Sequence, residues 1–349
     1  MKTVDTLIHA RWIVPVEPAG VLYEHHSLAV NQGRIVDLLP AEQARAAYRA
    51  GIDHELDSHL LMPGLVNAHT HAAMSLLRGL ADDLPLNEWL NEHIWPAESR
   101  WVNEEFVHDG TQLAIAEMLR SGTTCFNDKY FYPDITARVA ASCGMRACVG
   151  LIVIDFPTVW AKDAGEYISK GLAVHDRFRG DSLVQTVFAP HAPYTVSDQP
   201  LEHIRTLADE MDIGIHMHVH ETAEEVERAV ELTGKRPLQR LEELGLLTPA
   251  LMAVHMTQLG EGEIRRFADS GAHVVHCPES NLKLASGFCP AATLAAAGIN
   301  IALGTDGAAS NNDLDMIGEM RTAALLGKAV SGDASALPAH TVLRMATLN

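Results

Sequence analysis

The sequence lacks several patterns that mark common protein classes. No apolar run approaches the roughly 18 residues of a membrane span, and the first residues lack the long apolar core and small-residue cleavage site of a signal peptide. No C-x-x-C pair, P-loop or G-x-G-x-x-G after the first strand occurs. These absences argue against a membrane protein, a secreted protein, a zinc ribbon and a nucleotide-binding doubly wound sheet.

Basic residues are also scarce. Lys and Arg number 26 against 45 Asp and Glu, which gives a formal charge of −19. A surface this acidic disfavours nucleic acid and anionic membranes as partners, and fits an enzyme acting on a small molecule. The five cysteines are odd in number, so we expect reduced thiols and a cytoplasmic location.

The first sixty residues have a composition of their own. Segments such as "DTLIHARWIVPV" and "HHSLAVNQGRIVDLLP" mix apolar residues with turn signals, which predicts short antiparallel strands. Between them, "AEQARAAYRAG" predicts a short helix that ends at Gly51. We therefore expect residues 1–60 to form part of a small β domain, and residues 61–349 to form the main domain.

From Pro63 onward, short apolar stretches alternate with helical patterns. Eight such strands are found, and several of the helices end in Gly. Continuous apolar strands separated by helices are typical of parallel βα units, and eight of them predict a (β/α)₈ barrel of the TIM type. A doubly wound open sheet is the rival architecture.

Reactive residues cluster at the ends of these strands, where barrel enzymes build their active sites. In chain order they are His69, His71, Asn127, Asp128, Asp155, His191, His218, Glu221, His255, His276, Glu279 and Asp306. So many coincidences are not expected of a structural protein. The pattern therefore predicts an active site at the carboxyl ends of the strands.

The pair His69 and His71 is the first indication of a metal. Residues two apart on a strand share a face, so both rings point into the barrel mouth and suit zinc, iron or a similar ion. His218 on the fifth strand and Asp306 after the eighth complete three imidazoles and a carboxylate, which leaves a position for water. A turn or helix-capping role is the alternative for Asp306.

The fifth strand carries more histidines than one ion needs. His216, His218 and His220 share a strand face, and a packing role is as good an interpretation for His216 and His220 as a ligand role. Glu221 follows directly where the strand must end. A carboxylate there is well placed to move protons beside an ion.

Longer motifs resemble a known family. "PGLVNAHTH", "HVHET" and "LGTDGAASNN" are similar to the deaminase and chlorohydrolase branch of the amidohydrolase superfamily. "NEHIWPAE", "APHAPYTVSD" and "HCPESNLKLASGFCP" resemble more specifically its 5-methylthioadenosine/S-adenosylhomocysteine deaminases. The resemblance runs from about residue 5 to the last residue.

The resemblance implies a function and a set of site residues. The function is hydrolytic deamination at C6 of an adenine nucleoside, with one Zn²⁺ per chain, although Fe²⁺ or another divalent metal also fits. The implied metal ligands are His69, His71, His218 and Asp306, the catalytic residues are Glu221, His255 and Asp306, and the nucleoside contacts are Glu98, His191 and Glu221. Arg146 is matched to a contact of the homocysteine carboxylate.

The family also implies a homo-oligomer and a small β-sandwich domain, of which we expect the N-terminal strands in this chain and the C-terminal strands to be missing from it. Three alternatives stay open from the sequence. They are s-triazine chlorohydrolysis, deamination of guanine or cytosine, and a non-catalytic metal-binding scaffold. A non-catalytic scaffold would not explain why Glu221 and His255 lie at strand ends.

Overall fold

The computed structural model describes residues 1–349, and the chain divides into two compact units. One comprises Met1–Gly64 together with Leu348, and the other comprises Leu65–Thr347 together with Asn349. No helix combines the length and the apolar character needed to cross a membrane.

The N-terminal unit contains one four-stranded sheet in the order β3-β2-β1-β4. Its elements are β1 (Lys2–Ile13), β2 (Tyr23–Asn31), β3 (Arg34–Pro40), α1 (Ala41–Ala47) and β4 (Tyr48–Leu61). Val4, Leu7, Ala29, Ala44 and Tyr48 form its core. Helix α1 packs in this core through Ala44, as the apolar face of an amphipathic helix should.

Two expectations for this unit are wrong. The strands are not all antiparallel, because β1 pairs with β4 in parallel while it pairs with β2 in antiparallel. The helix ends at Ala47, and Gly51 lies inside β4 rather than at a helix end. Tyr48 begins β4 instead of continuing the helix, with its ring in the core and its hydroxyl donating to Asp37 Oδ2 at 2.9 Å.

The second unit contains the eight parallel strands, in the sheet order β12-β11-β10-β9-β8-β7-β6-β5, so the predicted (β/α)₈ barrel is confirmed. The strands are β5 (Leu65–Thr70), β6 (Thr123–Asp128), β7 (Arg146–Val153), β8 (Val184–Pro190), β9 (Ile215–Val219), β10 (Leu251–His255), β11 (His273–His276) and β12 (Ile301–Leu303). Most of their residues are buried, which is why they read as continuous apolar runs.

Helices connect the strands. A 3₁₀ turn (Ala72–Leu77) follows β5, and then come α2 (Leu86–Glu88), a π-helical turn (Trp89–Ile94), α3 (Trp95–Trp101), α4 (Glu104–Arg120), α5 (Pro133–Ser142), α6 (Ala164–Phe178), α7 (Asp198–Met211), α8 (Ala223–Thr233), α9 (Pro237–Glu243), α10 (Glu261–Ser270), α11 (Pro278–Lys283), α12 (Ala291–Ala296), α13 (Ala308–Asn311), α14 (Met316–Ser331) and α15 (Ala339–Met345). Gly234, Gly271 and Gly332 end α8, α10 and α14 in the left-handed conformation, as expected of glycine after a helix.

The first and eighth strands of the barrel meet through buried hydrogen bonds. The amide of Asp306 donates to His69 O at 3.0 Å, and the side chain of Asn67 bonds both the amide and the hydroxyl of Thr305. Gly304 permits this approach, because a Cβ there would lie 2.7 Å from His69 N. The contact brings the "H-T-H" and "G-T-D-G" motifs together.

The packing of α4 supplies a test of the fold. A Cβ on Gly110 would lie 2.5 Å from the carbonyl oxygen of Ala73, so Gly110→Ala should lower the free energy of unfolding by about 1–3 kcal/mol despite the helix propensity of alanine. Gly262→Ala, in α10, is the control because nothing lies within 4 Å of its Cβ position. Urea denaturation should give a lower midpoint only for Gly110→Ala. Equal midpoints would contradict this packing.

Candidate metal centre and active site

Four side-chain atoms from three strand ends converge at the carboxyl end of the barrel. The Nε2 atoms of His69 and His218 are 3.2 Å apart, and Asp306 Oδ1 lies 3.2 Å from Nε2 of both His69 and His71. The ligand atoms of the three histidines all lie within 4.8 Å of one another. His69 is fully buried, whereas His71 retains some exposure at the mouth.

This spacing fits a divalent cation. A tetrahedral zinc ion with bonds of 2.0–2.1 Å has ligand atoms about 3.3 Å apart along each edge. The remaining ring nitrogens support it, because His71 Nδ1 lies 2.5 Å from the carbonyl oxygen of Lys129 and must donate to it. His69 Nδ1 lies 3.2 Å from His216 Nε2. The Lys129 carbonyl thereby fixes the His71 tautomer whose unprotonated Nε2 faces the centre, as a metal-bound histidine requires, and His216 gives Nδ1 of His69 a partner that orients its ring.

The carboxylate of Asp306 is held on both oxygens. Ser280 and Ser310 donate to Oδ2 at 2.7 and 2.8 Å, and the amide of Gly307 donates to Oδ1 at 2.8 Å. Burial alone would raise the pKa of Asp306, but the adjacent rings of His69 and His71 outweigh burial and hold the pKa well below its ordinary value. Asp306 therefore stays ionised.

Two residues at the centre have left-handed backbones. Asp306 has φ of 61° and His255 has φ of 75°, a conformation that residues other than glycine rarely adopt. Such strain persists where the surroundings enforce it, most often at functional sites. Here the left-handed backbone turns the side chains of His255 and Asp306 toward the cluster at the carboxyl ends of β10 and β12.

Glu221 and His255 face each other beside the four-atom cluster. His255 Nε2 lies 3.7 Å from Glu221 Oε2, and His255 Nδ1 lies 2.9 Å from Asn281 Oδ1. Burial, reinforced by the charge of Asp306, raises the pKa of Glu221 to about 8. At neutral pH the carboxyl group is therefore mostly protonated and available as an acid.

An inner cavity of about 70 Å³ opens onto these groups. Its lining includes Glu98, His191, Glu221, His255 and Asp306. It shares Leu86, Trp95 and Tyr194 with an outer cavity of about 1060 Å³. The outer cavity has the size of a small-molecule site, whereas the inner cavity suits one ring at most.

The expected nucleoside contacts Glu98 and His191 line this inner cavity together with Glu221. Glu98 is on α3 and buried, and burial raises its pKa to about 7. His191 follows β8, and its Nδ1 lies 2.9 Å from the hydroxyl of Thr195. The structure thus brings together all the predicted site residues, His69, His71, Glu98, His191, His218, Glu221, His255 and Asp306.

Other strand-end residues lie apart from the cluster. Asp155 is exposed and accepts from the amide of Ser197, and Glu279 is on α11, where its carboxylate accepts from Thr322. Asp128 accepts from the amide of Ala72 at the start of the 3₁₀ turn. Arg146 begins β7 and therefore lies at the opposite end of the barrel, so its match to a substrate contact is wrong.

The extra histidines of β9 have separate roles. His220 has both ring nitrogens engaged, since Nδ1 donates to Gln258 O and Nε2 accepts from the amide of Leu238, which is a packing role. His216 is buried behind His69 and bonds its Nδ1, while its own Nδ1 has no partner. His216 therefore orients His69 and is more than core filling.

Three further groups in the site were not predicted from the sequence. Lys129 and Tyr130 line the inner cavity, and Ser280 bonds Asp306 from α11. Lys129 directly follows Asp128 at the end of a predicted strand, and that position was the available signal. Tyrosine and serine are too common in loops to stand out.

Comparisons with known proteins agree with this geometry. Residues 60–349 match the model of the amidohydrolase family. A protein of Saccharophagus degradans named 5-methylthioadenosine/S-adenosylhomocysteine deaminase is 56% identical over 99% of this chain and 77% of its own length. The crystal structure of an adenosine deaminase from Xanthomonas campestris with bound zinc superposes with a TM-score of 0.98 at 56% identity, covering 99% of this chain and 79% of that one.

A more distant structure shares the fold alone. The atrazine chlorohydrolase of Arthrobacter aurescens, complexed with zinc, gives a TM-score of 0.90 at 20% identity, over 98% of this chain and 81% of that one. The family model covers most of the chain, and the high-identity relatives cover nearly all of it. This chain is a hydrolase that belongs to the amidohydrolase family.

Proposed function

We propose that the protein hydrolytically deaminates the adenine ring of 5-methylthioadenosine, S-adenosylhomocysteine or both, giving the inosine analogue and ammonia. The observation that carries the proposal is the joint placement of an acid, Glu221, and a carboxylate, Asp306, around one inner cavity that also contains Glu98. The names of the high-identity relatives support the substrate class.

His69, His71, His218 and Asp306 would hold one divalent cation, which we propose is Zn²⁺, with Fe²⁺ as the alternative. When bound, such a cation supplies Lewis acidity that makes a hydroxide nucleophile available near neutral pH. His216 would keep the His69 ring in the orientation that the ion needs.

Two carboxyl groups would divide the proton transfers. Asp306, ionised and fixed by Ser280 and Ser310, would accept a proton from the attacking water. Glu221, protonated at neutral pH, donates its proton to N1 of the ring as C6 is attacked. The proton taken up by Asp306 would then pass to the amino group, the C6–N bond breaks to release ammonia, and the C6 hydroxyl returns a proton to Glu221 as it becomes the carbonyl of the inosine analogue.

His255 would orient the attacking water. Asn281 Oδ1 accepts from Nδ1 of His255, so the neutral ring presents Nε2 as an acceptor toward Glu221. Burial lowers the pKa of His255, which favours this neutral form. To stabilise a developing oxyanion, His255 would first have to take up a proton at Nε2.

Glu98 and His191 would bind the nucleoside. An ionised carboxylate has two acceptor oxygens that match the adjacent hydroxyl donors of a ribose. The Nε2 of His191 is left for the purine, because its Nδ1 bonds Thr195. The inner cavity then takes the base, and the 5′ substituent extends toward the outer cavity.

Three further proposals concern the protein in the cell. We propose a cytoplasmic location, since all five cysteines are free thiols. We also propose that the chain forms a homo-oligomer, and that residues 1–60 constitute a domain separate from the catalytic barrel.

The metal proposal predicts about one divalent ion per chain. His218→Ala should lose that ion, because it removes one ligand nitrogen, and should lose turnover with it. His276→Ala is the matched control, since His276 is equally buried at the end of β11 but belongs to no ligand group. Elemental analysis and ammonia release measure both. A metal-free protein with full activity would contradict the proposal.

The acid role of Glu221 predicts that Glu221→Gln lowers kcat by roughly 10²-fold or more while the metal stays bound, because the amide cannot supply a proton. Glu279→Gln is the control, as its carboxylate bonds Thr322 outside the cavity. Steady-state kinetics and metal analysis decide the result. Near-normal kcat in Glu221→Gln would show that Glu221 has only a structural role.

The ribose role of Glu98 predicts selectivity for ribonucleosides. Glu98→Gln should raise KM for methylthioadenosine and narrow the gap to 2′-deoxyadenosine, since charge-assisted bonds are worth roughly 1.5–3 kcal/mol each. Because the ionised form binds, wild-type KM should fall as pH rises through about 7.

Steady-state kinetics on methylthioadenosine, S-adenosylhomocysteine, 2′-deoxyadenosine, free adenine, guanine, cytosine and a chloro-s-triazine measures this selectivity. Equal turnover of free adenine and methylthioadenosine would refute the nucleoside assignment. If guanine, cytosine or the triazine were turned over preferentially, the chain would have a different activity from the one proposed.

A further inference from the structure

Lys129 has a buried side-chain amine that the proposed chemistry does not use. It follows β6 at the mouth of the barrel, is only 1% exposed, and is the one lysine of the chain that is buried. Burying the side-chain amine of a lysine is unfavourable unless the amine is hydrogen-bonded. Its contacts therefore call for a function.

Both ends of Lys129 contact the active site. Its backbone oxygen accepts from Nδ1 of the metal-ligand candidate His71, at 2.5 Å. Its side-chain Nζ donates to the backbone oxygen of His191, at 2.7 Å. Its amide donates to Thr70 O at 3.0 Å, which fixes the residue against the first strand of the barrel.

The oxygen that Lys129 binds is shared with β9. The amide of His218 also donates to His191 O, at 3.2 Å. One carbonyl thus joins the ends of β8 and β9, and Lys129 Nζ supplies its second donor. The strand ends that carry His191 and His218 are held by this three-way contact.

We propose that Lys129 is a positioning residue, which holds the end of β8 so that His191 meets the nucleoside while its own carbonyl orients His71. The role at His191 rests on the proposed nucleoside function. The two contacts are separable by mutation, because any residue at 129 keeps the carbonyl that faces His71, whereas only a side-chain donor reaches His191.

This separation predicts a specific kinetic pattern. Lys129→Met keeps the length of the side chain but removes the donor, so KM for methylthioadenosine should rise about tenfold, with a smaller change in kcat and unchanged metal content. Lys129→Arg retains a donor and should recover part of the loss. Lys283→Met is the matched control, because Lys283 Nζ also donates to a backbone oxygen, that of Ala309, away from His191.

A double-mutant cycle shows whether Lys129 acts through His191. His191→Asn alone should raise KM, and adding Lys129→Met should raise it no further if the two residues act as one unit. If KM of the double variant rose by the product of the two single-variant increases, the proposal would be overturned. Loss of metal in Lys129→Met would also overturn it.

Hydrogen exchange provides a readout that needs no substrate. In Lys129→Met the amides of β9 should exchange faster than in wild type, because the acceptor of His218 N–H is less firmly held, whereas Lys283→Met should leave β9 unchanged. Unchanged protection of β9 in Lys129→Met would overturn the proposal. If the wild type does not deaminate methylthioadenosine, the proposed function fails, and the exchange result alone decides the role of Lys129.

Discussion

The site depends on the contact that joins the first and eighth strands of the barrel. The hydrogen bond from Asp306 N to His69 O, with the buried bonds between Asn67 and Thr305, brings together ligand candidates that are far apart in the sequence. Each candidate lies at or just after the end of a barrel strand, and its position therefore depends on that strand. The metal centre therefore exists only once the barrel has closed, which links its geometry to the stability of the whole domain.

Much of the site could be predicted, because two simple rules apply to it. Parallel strands gather their carboxyl ends at one edge, and residues two apart share a face, so His69, His71 and His218 were predicted to point at one place. The family resemblance added Glu98, whose helix follows no periodic rule that leads to the cavity. The structure brings it to the inner cavity with the others.

The parts that sequence reasoning missed depend on long-range pairing. The parallel pairing of β1 with β4 is decided by tertiary contacts, and it converts Gly51 from a helix end into a strand residue. Lys129 was overlooked because lysine is almost never buried, and its environment exists only after four strands have assembled around it. Glu279 was predicted to lie at a strand end in the active site, and this prediction was wrong for a different reason. Strand β11 ends at His276, and Glu279 lies on the following helix α11, away from the cluster.

The glycines of "L-G-T-D-G" are required for space and not for flexibility. A Cβ on Gly304 would lie 2.9 Å from the Cβ of His69, and one on Gly307 would lie 3.2 Å from the Cβ of His71. Neither glycine has a positive φ, so alanine would suit both backbones and fail only on contact. In a genome survey, a barrel of this type that retains every histidine but carries a larger residue at the position of Gly304 should be classified as having lost the metal centre.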